Sequence, residues 1–404
     1  MVTRRTVQFG CAIAVIGLIA GVAGAATTLL LHAIEHLTFH YSFGTLLSGI
    51  EGSNPVRRAV GPLLGGALAG WGWWALRRRQ DRPPLTGTAD AGLQVLLVGS
   101  GASLGREGAP RQLAAAWGDI GVSRLALTAA DRRILLACAA GAGLGAVYSV
   151  PLGGALFATR ILLRTWHPRA LGTALITSSI AVMVAAPVTH LEHPLSWPDS
   201  RLSYLFVFLA LALAPVATAV GLVFDRMMHG APRMTLRSWM VIPGIAAAGL
   251  LTGVCSIWLP ELPGNGRSIL QVSMGSGLTL TSAALILLLK PLLTMLFLRA
   301  GAAGGLLTPA LATGAAAGSL AALALNHWAG TQLHVAAVSL SCAAGLLAIT
   351  QRSPLFAALF VWELARPPLW LLLVFAVGAY AAYGLAALRR RHQKEAGREI
   401  TAAA

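Results

Sequence analysis

The chain has 404 residues, 56% of them hydrophobic and 11% charged, with a mean hydropathy of +0.72 and a formal net charge of +16. Soluble domains carry about 25% charged residues, so this composition excludes an ordinary soluble enzyme or binding domain and fits an integral membrane protein. The surplus of Lys and Arg lies mainly at the ends of apolar runs, with no basic and aromatic surface stretch, which points to membrane orientation and away from nucleic acid.

The opening "MVTRR" leads into an apolar run from Val7 to Leu31. A signal core spans only about 7–15 residues, so this longer run is expected to be a retained first transmembrane helix. At its end "HAIEH" (32–36) has the HxxEH spacing of zinc proteases, with His32 and His36 one helical turn apart. No acidic ligand follows downstream, and these residues are read as polar anchors at the membrane interface, with no metal. The next run, 58–76, ends in "WGWW" (71–74) just before "RRR", the pattern of an interfacial belt.

A spanning helix needs about 20 apolar residues. The remaining full-length candidates are 170–188, 203–228, 238–259, 281–298 and 368–388. Between them lie shorter or Gly/Pro-broken runs at 92–104, 108–118, 132–147, 150–164, 305–325, 334–349 and 354–364. Exposed backbone is costly in lipid, so broken helices belong where protein or a water-filled path receives them, as in a transporter or channel interior. Asp225 and Glu363 sit in or beside apolar runs and are read as helix-end or packing partners. Cys11, Cys138, Cys255 and Cys342 form no CxxC pair and are read as packing residues. No GxxxxGK[ST] sequence is present, so neither an ATP-driven pump nor any cofactor has support, and no enzyme activity is expected.

Orientation follows from the basic residues. "MVTRR", "RRRQDR" (77–82) and the closing "RRRHQKEAGR" are assigned to the cytoplasm, and "HLEHPLSWPDS" (190–200), which lacks Lys and Arg, to the outside. Both termini are then cytoplasmic, in a multi-pass protein of the cell inner membrane.

The chain also repeats itself. "CAAGAGLGAVYSVPLGGALF" at 138–157 returns as "CAAGLLAITQRSPLFAALF" at 342–360, and Pro110 of "GREGAP" corresponds to Pro309 of "GGLLTP". Two related repeats are expected, 1–190 and 200–388, followed by a short basic tail at 389–404 without a regulatory domain. With both termini on one side and the intervening loop on the other, each repeat crosses an odd number of times, so the two are inverted. The fold class is therefore all-α integral membrane, with two inverted-topology repeats of broken and tilted helices and an ion site near the midplane.

The Gly-rich breaks at 99–110 and 301–309 are where helix N-termini can meet. Such an end offers free N–H groups and roughly half a positive charge, a seat for an anion. Arg106, Arg111, Lys290 and Arg299 add positive potential along the route. Glu107, between Arg106 and Gly108, is a rival for the same donors: ionised, its carboxylate blocks the anion's place; protonated or swung away, it leaves the place open.

"GREGAP" resembles the GREGP or GKEGP signature of the CLC chloride channels and transporters, and "GAAGGLLTP" resembles their GxFxP signature. The paired CAAG…PLxxALF segments match the family's inverted repeat, in the right order over nearly the whole chain, nearest to the bacterial ClcB-like branch. The resemblance implies a homodimer with one anion path per subunit and contacts through 150–164, 170–188, 354–364 and 368–388. It makes Glu107 the gate and assigns outer and central anion-site amides to Gly105, Arg106, Gly108, Leu306 and Leu307. It also exposes departures. The GSGIP loop ahead of "GREG" is missing, with Thr88 as a stand-in for its serine; Leu307 replaces the phenylalanine of GxFxP. No tyrosine lies on a last short helix expected near Arg389, and Tyr380 and Tyr383 fall one helix too early. The glutamate pair of the proton-coupled members falls on Arg160 and Ile161, where the proton-path position is lost. Passive permeation of chloride or a similar small anion is the leading reading; a chloride/proton antiporter and a non-conducting membrane interaction protein are the alternatives.

Overall fold

A computed structural model describes residues 2–78, 83–189, 197, 204–230 and 238–403. The polar loop expected at 190–200 falls mostly outside the described residues, as do residues 79–82 of the basic "RRRQDR" stretch. Among the described residues there are seventeen α-helices and no β-strand. The first repeat holds α1 (Val2–Phe39), α2 (Leu46–Gly52), α3 (Pro55–Leu76), α4 (Pro83–Gly99), α5 (Gly108–Val122) and α6 (Ala129–Tyr148). These are followed by α7 (Pro151–Leu156), which runs on as a π-helical turn over Phe157–Leu162, and α8 (Pro168–Thr189). The second holds α9 (Leu205–Ala212), α10 (Ala214–His229), α11 (Val241–Cys255), α12 (Arg267–Met274) and α13 (Leu280–Arg299). It ends with α14 (Leu307–Trp328), α15 (Val335–Gln351), α16 (Pro354–Ala365) and α17 (Leu371–Ala403).

Among the described residues, five helices are long and apolar enough to cross a membrane: α1, α8, α13, α14 and α17. The full-length span expected at 238–259 is the 15-residue α11, one of the shorter apolar helices, and three further expectations need correction. The span expected at 203–228 is two helices, α9 and α10, bent by 42° at Leu213; Pro215, in the first turn of α10, gives up the N–H that would continue the ladder. The run 305–325, read as short, is the 22-residue α14, and 78% of its most apolar window is buried inside the protein. It is a central helix, all-round apolar because it has protein on every side. Finally, α17 continues unbroken to Ala403, so no separate short helix begins near Arg389.

The helix ends carry the repeat most plainly. α4 stops at Gly99, short of the expected Leu104, because Gly101 adopts φ +104° and lets Ala102 N–H reach back to Leu97 O (3.1 Å). α13 ends the same way: Gly301 has φ +92° and Ala302 N–H reaches Phe297 O (3.0 Å). Both are the six-to-one closure of a helix C-terminus, which a left-handed residue makes possible. Between α6 and α7 the left-handed residue is Ser149, between α15 and α16 it is Arg352, and each stands two residues ahead of the proline that opens the next helix. Arg164 and Arg366 repeat the pattern after α7 and α16.

The repeats join at their equivalent glycines. Gly105 N–H donates to Gly305 O (2.8 Å) and Gly305 N–H donates to Gly105 O (2.9 Å), an isolated antiparallel bridge. A reciprocal antiparallel pair is locally two-fold about its centre, the arrangement expected where the matching breaks of two inverted repeats meet.

Candidate functional site

Just beyond the bridge, α5 and α14 begin. A helix leaves its first N–H groups without partners inside the helix, so these two starts bring orphan donors together. Glu107 is the residue before α5, and its side chain is fully buried at 0% exposure. A carboxylate removed from water costs several kcal/mol unless donors receive it. Three do. Leu307 N–H, the first of α14, donates to Oε1 (2.7 Å), the Thr308 hydroxyl donates to Oε2 (3.1 Å) and the Tyr148 hydroxyl donates to Oε2 (3.2 Å). The two hydroxyls also lie within 3.5 Å of each other.

Space is as restrictive as polarity. A Cβ at Gly105 or at Gly305 would overlap the Glu107 carboxylate, so both positions require glycine for this seat to exist. One sequence-based role changes here. The Gly105 N–H is already given to Gly305 O, so Gly105 serves the bridge and the clearance, not as an anion-ligating amide. Arg106 and Gly108 flank Glu107 at the start of α5, and Leu306 directly precedes α14, beside the donating Leu307.

Tyr148 and Thr308 were not singled out from the sequence. Tyr148 is the last residue of α6; the left-handed Ser149 and Pro151 then reverse the chain and leave its ring against Phe360 (5.8 Å, edge-on) and under the Arg106 guanidinium (5.0 Å). Thr308 occupies the first turn of α14, within the quoted "GGLLTP", where a hydroxyl shares the side of the helix start. Thr88, offered as the stand-in for the missing serine, is elsewhere: its hydroxyl accepts the Trp117 indole N–H (3.1 Å), which ties α4 to α5. Tyr380 is 53% exposed on α17 and makes no contact with the seat.

The arginines and the lysine divide in their surroundings. Arg106 is buried and donates to Val147 O (3.2 Å). Lys290 is fully buried on α13, where it donates to Leu262 O (3.0 Å) and Gly264 O (2.8 Å) and holds the segment ahead of α12 in place. Arg111, one turn into α5, lies over the Phe157 ring (4.2 Å). Arg160 lies over the Trp166 ring (4.2 Å), on the π turn that also holds Ile161.

Arg106 also lines a cavity of about 500 Å³, together with His32, Glu35, His36, Tyr41, Asn265 and Arg267. "HAIEH" therefore faces this vestibule, with Glu35 buried in it, instead of anchoring at a lipid interface. Outside the spans, burial, helped by the Glu35 carboxylate, pushes the Tyr41 phenol up, while burial and the Arg106 charge pull Arg267 down to about 10. Glu363 and Asp225 are helix-end partners as read. Glu363 on α16 accepts the Leu152 (2.9 Å) and Gly153 (2.5 Å) N–H groups at the start of α7, and Asp225 pairs with His229 (3.2 Å) one turn on.

Comparison with known proteins gives the family and the fold. Residues 74–387 match the family described as voltage gated chloride channel. The voltage-gated ClC-type chloride channel ClcB of Citrobacter koseri is 28% identical over 382 residues, covering 87% of this chain and 89% of that protein. The ClcB of Salmonella typhimurium is 28% identical over 381 residues, covering 86% and 89%. Among solved structures, a slow cyanobacterial Cl⁻/H⁺ antiporter superposes with a TM-score of 0.74 at 20% identity, covering 94% of this chain and 95% of that one. A eukaryotic CLC transporter superposes with a TM-score of 0.70 at 17% identity, covering 94% and 72%.

Proposed function

The chain belongs to the voltage-gated chloride channel (CLC) family, and we propose that it passes chloride, or a similar small anion, across the bacterial inner membrane through a path gated by Glu107. One observation carries this reading: a buried carboxylate fills a seat built from an orphan helix N–H and two hydroxyls. Those donors suit any compact anion. When Glu107 leaves, a chloride takes the same N–H and O–H groups, and the amides of Arg106, Gly108 and Leu306 lie at the helix starts beside it. The positive ends of α5 and α14 stabilise it without a countercharge that would hold it too tightly.

Passage is uncoupled from protons. A coupled exchanger needs a titratable group on the second route, and the corresponding positions hold Ile161, which has no titratable atom, and Arg160, a fixed cation. The repeats are 1–190 and 200–388, with 389–404 a basic cytoplasmic tail. Both termini face the cytoplasm, so the vestibule of His32, Glu35 and Arg106 opens outside. The protein works as a homodimer joined through α7, α8, α16 and α17, whose exposed Leu152, Ile176, Met183 and Leu373 leave apolar surface for a second copy.

The test is radioactive chloride flux into proteoliposomes. Glu107→Gln and Glu107→Ala are expected to raise flux, or at least to abolish its pH dependence, because no carboxylate can return to the seat. Wild-type flux with intact pH dependence in Glu107→Ala would show that the gate lies elsewhere.

A further inference from the structure

We propose that the Arg111 guanidinium is an anion-binding group in its own right, holding a second small anion one helical turn along α5 from Glu107. The proposal rests on the anion path inferred above and names a ligand of that path which the family signature does not supply.

The observation is a charge without a counterpart. Arg111 Nε is buried and has no hydrogen-bond partner, and among the described residues none ion-pairs with the side chain. Its one direct neighbour of note is the Phe157 ring at 4.2 Å, itself buried and packed edge-on against Phe356. A cation over an aromatic face gains about 0.5–2 kcal/mol. The side chain is part-buried, so the cost falls on the buried Nε–H, which the ring face does not answer with an acceptor. Deprotonation is no escape, because guanidinium does not give up its proton in proteins. Glu107 attracts Arg111 across one turn, but its oxygens are committed to Leu307, Thr308 and Tyr148.

Other arginines of the same region are answered. Arg132 pairs with Asp119 (2.6 Å), Arg169 with Asp131 (2.8 Å), and Arg106 has Val147 O, the Tyr148 ring and the Glu35 charge. Of these, Arg111 is the one with no oxygen at hydrogen-bond or ion-pair distance among the described residues; its neighbours are the Phe157 ring and the Glu107 charge one turn back. A permeating anion is the partner the position calls for, and the planar N–H fork suits it better than a point charge would.

Position strengthens the case. Glu107 and Arg111 are one turn apart on α5, Arg111 lies over Phe157, and Ile161 is one turn beyond Phe157 on the π turn. The guanidinium thus stands between the gating carboxylate and the lost proton position. There it holds an anion one turn from the seat and repels a proton on the second route. It supplies charge where the path has neither the serine loop nor a tyrosine from a final short helix.

The test is equilibrium dialysis of the purified full chain against radioactive chloride, in the Glu107→Gln background so that the seat itself is vacant. Two chlorides per subunit are expected. Adding Arg111→Gln should leave one, or weaken the second about tenfold, the loss of one charge-assisted hydrogen bond. Arg111→Lys should keep both sites with the second weakened less, which a packing role over Phe157 would not produce. Arg111→Met, neutral and long enough to cover the ring, serves where the Gln variant does not fold. A folded Arg111→Gln or Arg111→Met protein that binds the same number of chlorides with the same affinity overturns the proposal. Chloride flux separates the two readings: wild-type flux with Arg111-independent binding refutes this site alone, whereas Arg111-dependent binding in a chain without flux refutes permeation alone.

Discussion

Tyr148→Phe isolates a single hydroxyl of the seat. The ring keeps its contacts with Phe360 and Arg106, so packing is preserved and only the O–H is lost. In the resting arrangement that hydroxyl donates to Glu107 Oε2 at 3.2 Å, near the long end for an O–H donor. Hydrogen bonds to charged groups contribute about 1.5–3 kcal/mol, and this length places the bond at the low end, about 1.5 kcal/mol. An anion seated in place of the carboxylate loses the same donor, so its dissociation constant should rise about tenfold. The assay is calorimetric titration with chloride of Glu107→Gln and of Glu107→Gln/Tyr148→Phe, each checked for a folded elution profile. Thr308→Val should act in the same direction, and the double variant should fall short of additivity because the two hydroxyls touch at 3.5 Å. Thr313→Val is the control, since its hydroxyl bonds Pro309 O within α14. If Tyr148→Phe leaves affinity within about twofold of the parent, the hydroxyl is not an anion ligand and the reasoning from Glu107's partners fails.

Gly305→Ala should both expel the Glu107 carboxylate and fill the vacated place, so flux is expected to drop below wild type and to stay low when combined with Glu107→Gln; wild-type flux would contradict the clearance argument. Glu363→Ala removes the acceptor of two N–H groups at the start of α7 and should lower stability by about 1–2 kcal/mol, read as a lower thermal midpoint in detergent at fixed scan rate. It should leave flux uncoupled, because Glu363 serves as a cap. With chloride held at its reversal potential, a pH gradient alone should drive no chloride movement; sustained uphill uptake would show coupling despite Ile161 and Arg160.

Glu107 was legible in the sequence because its signal is local: glycines on both sides, a proline three residues on, and a second Gly-Pro break one repeat later. The donors that answer it were not legible. Leu307, Thr308 and Tyr148 stand 200, 201 and 41 residues away, and only the crossing of the repeats makes them neighbours. Thr88 was the wrong hydroxyl for the same reason. Sequence order put it ahead of "GREG", but its place on α4 turns it to Trp117. Gly105 illustrates a different limit: a backbone N–H looks available until the partner strand is known, and here the partner is Gly305. The bend at Leu213 was readable, since Pro215 interrupts an otherwise uniform apolar run; run length outweighed it.

The repeat is two-fold in backbone and one-sided in chemistry. Counted from the paired Gly105 and Gly305, the next residues are Arg106 and Glu107 in one half and Leu306 and Leu307 in the other. The bridge brings two helix starts to one point, but only one of them carries charge; the other offers bare N–H groups and a hydroxyl. A symmetric pair of acids would repel across this distance, and a symmetric pair of leucines would leave nothing to close the path. The asymmetry lets the α14 side bind whatever anion arrives, while the α5 side supplies the one anion that is tethered. Gating by competition follows from that division: tether and traveller share donors that belong to neither, so closing costs no more than exchanging one anion for another.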